Sequence, residues 1–387
     1  MYYVKMSEPV IPNIHTICMH RPLTFDMYQS VCDILFDKET KKKLKEKLKW
    51  YDKNHGYTLR SKYDRTVSSS IFCPYGISNI TLITSKDSNG YFHNQMFIEM
   101  NLNDMLGEKD RLETFENTPE NIKKVIEVFH LCFSVFPEGM NKIDDYFLLR
   151  VDFCIDLFLP ETLKKDYLSL FRRCGLPYGF ELETYKDEKA KKNKVPKERI
   201  AASGNCICVV AYDKLHQLEA CRIKGYDADK AKEMLRLEVQ LCALKLKPYV
   251  LFESDDKFFD VSFKNAFENL RKHACEVFYS NINKVFGEGL YVSMDIARDV
   301  IDQSRYKQKT KDKMTELVTL TASHRSLNDA MEEFMLGKGM KRKKVTELLK
   351  KFKPLGINPI TIPSRWGYDT MPDLEGLIGQ AHIYNPG

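Results

Sequence analysis

The stretch LLRVDFCIDLF at residues 148–158 limits the fold more than any other part of the chain. Leu149, Val151, Phe153, Ile155 and Leu157 recur at every second position, and Arg150, Asp152, Cys154 and Asp156 fall between them. Side chains alternate across an extended strand, so one face here is apolar and the other carries a guanidinium, a thiol and a pair of carboxylates. Such a strand needs a core beneath it. Its charged face is either solvated surface or the floor of a metal site.

The remaining pattern supplies both strands and helices. Residues 10–19 read as a first strand, and TFDMYQSVCDILF at 24–36 as a helix with Thr24 as N-cap. KETKKKLKEKLKWYDKNHG, 38–56, reads as a lysine-heavy helix ending at Gly56. Strands are expected near 67–73, 78–85 and 95–106, and helices over 119–136 and 161–174. TYKDEKAKKNKVPKERI, 184–200, has no apolar period and reads as an exposed loop. NCICVVAYDKL (205–215) reads as a strand, DADKAKEMLRLE (227–238) as a helix, and RLEVQLCAL (236–244) as another strand. FIEMNL at 97–102 and RLEVQL at 236–241 share an x-x-E-apolar-amide-Leu pattern, as a duplicated unit would; coincidence is the competing reading. Beyond about residue 262 the periods are helical, one long helix over 260–286 and four short ones. The proline-rich tail at 354–382 is expected to wrap back on a domain. The expected fold class is α+β, an antiparallel sheet with helices followed by a mainly helical C-terminal domain. The expected division is 1–260, with related halves near 1–140 and 141–260, and 261–387.

At 387 residues two or three domains are the prior, and 43% apolar with 29% charged residues is a soluble, globular composition. The net charge of +6 is mild, but it is unevenly placed. Residues 305–353 hold fourteen basic residues against six acidic ones, an excess larger than that of the whole chain. That is the footprint of a duplex-binding helical module, or of a solvated helical surface. Within it, Ser326 is placed to cap one helix and Gly337 to end it. The next helix opens with Lys341, Arg342, Lys343 and Lys344, which suit phosphate contacts, above an apolar stripe of Val345, Leu348 and Leu349. The 11 cysteines are scattered without a CxxC pair, which points to reduced thiols in the cytoplasm. No apolar signal core opens the sequence and no apolar run is long enough to span a bilayer, so no membrane partner is expected.

Three segments stand together: Arg150-Val-Asp152 with Asp156, Tyr212-Asp-Lys214, and Arg236-Leu-Glu238-Val-Gln240. On neighbouring strands they would gather carboxylates, a phenol and an ammonium on one face. That group suits phosphoryl transfer to tyrosine, with Lys214 easing formation of the phenolate or holding a phosphate oxygen. Hard carboxylate ligands favour Mg²⁺ or Mn²⁺.

At these residues the chain resembles the replication initiation factor family, the rolling-circle plasmid initiators and the relaxases of Gram-positive integrative elements. The shared pieces are an R-[apolar]-D-x-x-x-D strand (Arg150 to Asp156), a Y-[D/E]-K strand end (Tyr212 to Lys214) and an R-[apolar]-E-[apolar]-Q strand (Arg236 to Gln240). They cover roughly 20 residues of the chain's 387. The resemblance implies a metal-dependent endonuclease that binds an origin as duplex and single-stranded DNA. It would nick one strand and become covalently attached through tyrosine in DNA replication, with a helicase as a further partner. By motif, Tyr212, Lys214 and Arg150 are the catalytic candidates and Asp152, Asp156 and Glu238 the metal ligands. Many relatives carry a tyrosine in a Y-x-G-S segment upstream. Here RIAASGNCICVVAYDK has Ser203-Gly204 and no tyrosine before them, so Tyr212 and Tyr185 both stand as nucleophile candidates. The alternative is a sequence-specific DNA-binding protein without catalysis, an initiator or repressor; an RNA-binding or structural nucleoprotein is a third reading.

Overall fold

The computed structural model describes residues 10–384 apart from 37–64 and the short stretches 87, 90, 108–111, 178, 188–191, 195, 205, 255–256, 261 and 325. The lysine-heavy segment expected as a helix over 38–56 lies outside the described residues.

The first half runs β1 (Asn13–Leu23), α1 (Phe25–Phe36), β2 (Arg65–Ser69), β3 (Ile77–Lys86), β4 (Phe92–Asn101), the one-turn α2 (Leu102–Met105) and α3 (Pro119–Phe133). The second runs β5 (Phe147–Phe158), α4 (Glu161–Arg173), β6 (Glu181–Leu182), the hairpin β7 (Tyr185–Asp187) and β8 (Lys192–Lys194), β9 (Arg199–Gly204), β10 (Ile207–Asp213), α5 (Lys214–Ala220), α6 (Ala228–Glu233) and β11 (Met234–Cys242). All the strands of both halves except β7 and β8 join one antiparallel sheet in the order β2-β3-β4-β1-β5-β11-β10-β9-β6. Leaving out β6, the β7–β8 hairpin and the helices α2, α3, α5 and α6, each half is a strand, a helix and three more strands. In each, the first strand lies innermost, the last beside it and the middle two outside. The register repeats as well: Glu99 of β4 pairs with Cys18 of β1, and Glu238 of β11 with Cys154 of β5. The echo between FIEMNL and RLEVQL thus sits at equivalent places in the sheet.

The sheet's apolar face takes the alternating residues of β5, with Val151, Phe153 and Leu157 buried beside Leu237 and Val239 of β11. A short helix α7 (Lys247–Val250) and a hairpin, β12 (Leu251–Ser254) and β13 (Lys257–Asp260), lead to the 24-residue α8 (Phe263–Phe286). Helix α8 lies against β5, β10 and β11 and buries Phe267, Leu270, Phe278 and Ile282. There follow β14 (Leu290–Ser293), α9 (Met294–Asp302), α10 (Gln308–Ser323), α11 (Leu327–Lys338), α12 (Arg342–Leu349), β15 (Ile357–Ile362), β16 (Thr370–Met371) and α13 (Leu374–Tyr384). The proline-rich tail does wrap back: α13 packs on β5 and α8, and the Tyr167 hydroxyl of α4 donates to the Pro372 carbonyl. The class is α+β with a mainly helical C-terminal region, and no helix among the described residues is long and apolar enough to cross a membrane.

Local chemistry corrects several boundaries. The strand expected to run to 106 stops at Asn101, whose side chain accepts from the amides of Asn103 and Asp104 and starts α2 instead. The helix expected over 227–238 stops at Glu233, because Met234 to Cys242 take up partners in β5 and β10. The lysine-rich segment expected as loop holds the β7–β8 hairpin. Helix α11 is capped by Ser326 but runs through Gly337, and Gly339 adopts the left-handed conformation that ends it.

Candidate functional site

The opposite face of the sheet carries the charges. Arg236 faces Asp156, Glu238 faces Cys154 and Gln240 faces Asp152 across β11 and β5, while Tyr212 of β10 faces Arg236. The expected grouping of Arg150, Asp152, Asp156, Tyr212, Arg236 and Glu238 on one face is what the register produces.

Tyr212 and Lys214 owe their direction to the residue between them. Asp213 points away, caps α5 by accepting from the His216 amide, and pairs at 2.6 Å with the buried Lys164 ammonium. The Tyr212 ring is buried beside Val210 and Ala201, its hydroxyl donates to Glu238 Oε1 at 2.6 Å, and the Lys214 ammonium stands 5.9 Å from the ring centre. Burial, reinforced by the Glu238 charge, raises the Tyr212 phenol well above its ordinary range. Burial, with the Arg236 cation, brings the Lys214 ammonium down to about 8 against the pull of Asp156 and Glu238. An ammonium so tuned gives up a proton near neutral pH.

The two arginines each clamp one aspartate. Arg236, fully buried, donates from Nε and Nη2 to both Asp156 oxygens at 2.6 and 2.7 Å. Arg150 donates from Nε and Nη2 to both Asp152 oxygens at 2.9 and 3.1 Å, and from Nη2 to Glu99 at 3.5 Å. The three carboxylates expected to share a metal are therefore engaged separately, Asp152 and Asp156 by guanidinium groups and Glu238 by the phenol. Among the described residues no group of three or more His, Cys, Asp or Glu side chains is placed to hold a metal ion. The donor set as it stands does not fit Mg²⁺ or Mn²⁺.

Sequence reasoning missed His15. A register irregularity in β1 between Ile14 and Thr16 turns it toward the charged face, where its Nε2 stands 3.2 Å from Arg236 Nη1. A guanidinium only donates, so Nε2 accepts and the ring proton sits on Nδ1. Burial, then the Arg236, Lys214 and Arg150 charges, lower its basicity and keep the ring neutral. The only signal available was a lone histidine in an apolar strand. Glu99 was singled out for the echo alone, yet it accepts from Ser78 at 3.1 Å and from Arg150. The basic run Lys341, Arg342, Lys343 and Lys344 is exposed around the first turn of α12, with Val345 and Leu348 buried beneath it.

Burial pushes the Asp152 carboxyl up to about 7 from its ordinary 3.8; the Glu238 charge adds to the rise and Arg150 opposes it. The native state then holds this proton more tightly than the unfolded chain does. The stability it lends is complete below pH 4 and is lost as the pH rises to about 7. In EDTA, Asp152→Asn is expected to gain on the wild type across that window by about 2–4 kcal/mol in urea unfolding. A flat difference, or one of opposite slope, would show that the carboxyl titrates normally.

No protein-family profile and no curated protein matches the chain. Among solved structures it is similar to a rolling circle replication initiator protein from Geobacillus stearothermophilus, with 13% identity over 62% of this chain and 77% of that one and a TM-score of 0.25. It is also similar to the conjugative relaxase TrwC in complex with oriT DNA, a copper-bound structure, with 8% identity over 95% of this chain and 96% of that one and a TM-score of 0.15.

Proposed function

We propose that the protein is a rolling-circle-type replication initiator or relaxase that binds an origin in the cytoplasm and nicks one DNA strand through tyrosine. Residues 1–260 form the catalytic region, and 261–387 an accessory region that docks DNA. The reading is carried by the buried Tyr212–Glu238 hydrogen bond of 2.6 Å, made between strands that bear the Y-D-K and R-L-E-V-Q motifs. In this scheme Glu238 takes the phenol proton as Tyr212 attacks phosphorus. The phosphotyrosyl bond forms, the bond to the leaving sugar oxygen breaks, and Lys214 supplies that oxygen's proton. Arg150 positions the phosphate.

The test is incubation with supercoiled DNA carrying its cognate origin, in Mg²⁺ or Mn²⁺. Relaxed circles and a covalent protein–DNA adduct are expected; their absence with every origin of its own replicon sinks the proposal. The burial of the Tyr212 hydroxyl favours a second reading, a sequence-specific DNA-binding protein without catalysis. Such a protein would hold its site in EDTA, and Asp152→Ala would leave its function intact.

The exposed basic turn of α12 supports a separate expectation. Replacing Lys341, Arg342, Lys343 and Lys344 by Ala should weaken duplex binding and flatten its salt dependence by up to about four ionic contacts. Cleavage of a short single strand should be nearly unchanged. Equal loss of both, in a folded variant, would show that the two regions do not divide the work this way.

A further inference from the structure

Four strands across, the charged face of the sheet holds a row of a different kind. Thr81 of β3, Phe97 of β4, His20 of β1 and Phe147 of β5 are neighbours in register. The His20 ring lies 5.8 Å from Phe97, nearly parallel at 21°, and 5.2 Å from Phe147 at 36°. Phe147 is on this face only because the β1–β5 register shifts between Cys18 and Met19, which moves Leu149 out of step and turns the Phe147 ring outward, where it is 41% exposed.

The duplicated register gives the row a counterpart. With Glu99 set on Glu238, Phe97 falls on Arg236, His20 on Asp156 and Thr81 on Tyr212. The corner that holds the phenol and its ion pair in one half is lined by rings in the other. Between them stands Arg150, its side chain 28% exposed, with Nε and Nη2 occupied by Asp152 and Glu99. From His20 to Thr16, the partner of Asp152, is four residues of strand, about 13 Å at the usual rise. A stacked DNA strand covers that in about four nucleotides.

We propose that His20, Phe97 and Phe147 form a stacking subsite for unpaired bases of the single strand whose backbone the tyrosine centre cuts. The occupant follows from continuity, since the rings share one sheet face with that centre and a guanidinium between them suits the connecting phosphate. Bases offer a π-face to such rings whatever their sequence. The location of the strand rests on the nicking reading; the stacking itself does not.

The probe is a fluorescein-labelled oligo(dT) of about 16 nucleotides, read by anisotropy at fixed salt with the full chain. Phe147→Ala is expected to weaken binding by about tenfold or more, and Phe147→Trp to stay within about twofold of the wild type. An abasic strand of equal length should bind wild type and Phe147→Ala alike. Unchanged affinity in Phe147→Ala overturns the proposal, and so does an equal loss on the abasic strand. A dimer that Phe147→Ala dissociates without changing strand affinity overturns it as well, because the face would then seat a second copy. Nicking of supercoiled DNA is measured alongside. Nicking with unchanged strand affinity sinks the subsite alone, and lost affinity without nicking by the wild type sinks the nicking reading alone.

Discussion

On the nicking reading, Tyr212→Phe is expected to abolish the covalent protein–DNA adduct and to lower strand cleavage by about 10³-fold or more, as loss of a nucleophile does. The substitution keeps the ring beside Val210 and Ala201 and removes only the hydroxyl that donates to Glu238. It leaves a buried carboxylate oxygen without its donor, so a stability loss of about 1–3 kcal/mol should accompany the loss of activity. Glu238→Gln separates the two effects. The amide oxygen can still accept from the phenol, so stability should hold, while loss of the base should slow cleavage by about 10²–10⁴-fold. Adduct formation on supercoiled DNA and urea unfolding of the same preparations check both statements. An adduct that survives in Tyr212→Phe and disappears in Tyr185→Phe would move the nucleophile to the β7–β8 hairpin and leave Tyr212 a structural role.

The largest effect on stability is expected from Arg236→Met. The guanidinium is fully buried, holds both Asp156 oxygens, and donates from Nη2 to the Leu112 carbonyl at 3.2 Å. Removing it leaves the Asp156 carboxylate, its side chain 12% exposed, without its hydrogen-bonded counter-charge. Breaking such a pair from one side costs about 3–5 kcal/mol. Pairing Arg236→Met with Asp156→Leu should recover most of that, because the orphaned charge is gone. Arg236→Lys keeps a charge but not the fork and should fall between them. If Arg236→Met unfolds within about 1 kcal/mol of the wild type, the clamp is not what holds this corner of the sheet.

Much of the site was legible because strand alternation is a local rule. It put Arg150, Asp152 and Asp156 on one face and Tyr212 on another strand's face, and the register joins the two faces; Lys214, expected on that strand, instead opens α5 and stands beside the Tyr212 ring from there. Where alternation breaks, the reading broke too. The irregularities beside His15 and at Leu149 each depend on pairing with a distant strand, and each brings to the charged face a ring that the pattern had not placed there. Partner choice was equally hidden. Arg236 and Asp156 are 80 residues apart in sequence, so nothing local said that the guanidinium would take this carboxylate and withdraw it from any metal set. The amide in FIEMNL matched that in RLEVQL as a pattern, but Asn101 caps a helix whereas Gln240 stays in its strand. Asparagine beside a turn competes for backbone amides, and that preference outweighed two more residues of sheet.

Among the described residues, strand pairing joins the two halves only where β1 meets β5, and the charged network bridges that seam. His15 from the first half meets Arg236 from the second, and Arg150 from the second reaches back to Glu99 in the first. Neither half completes these contacts from its own residues. During synthesis the first half emerges from the ribosome with Glu99 and His15 awaiting partners not yet made. On the nicking reading, the seam then works as an assembly checkpoint. A proteolytic fragment holding only the second half would carry Tyr212, Lys214, Glu238 and Arg150 but lack the contacts from His15 and Glu99 that hold Arg236 and Arg150 in place, so efficient scission would await molecules whose halves have closed.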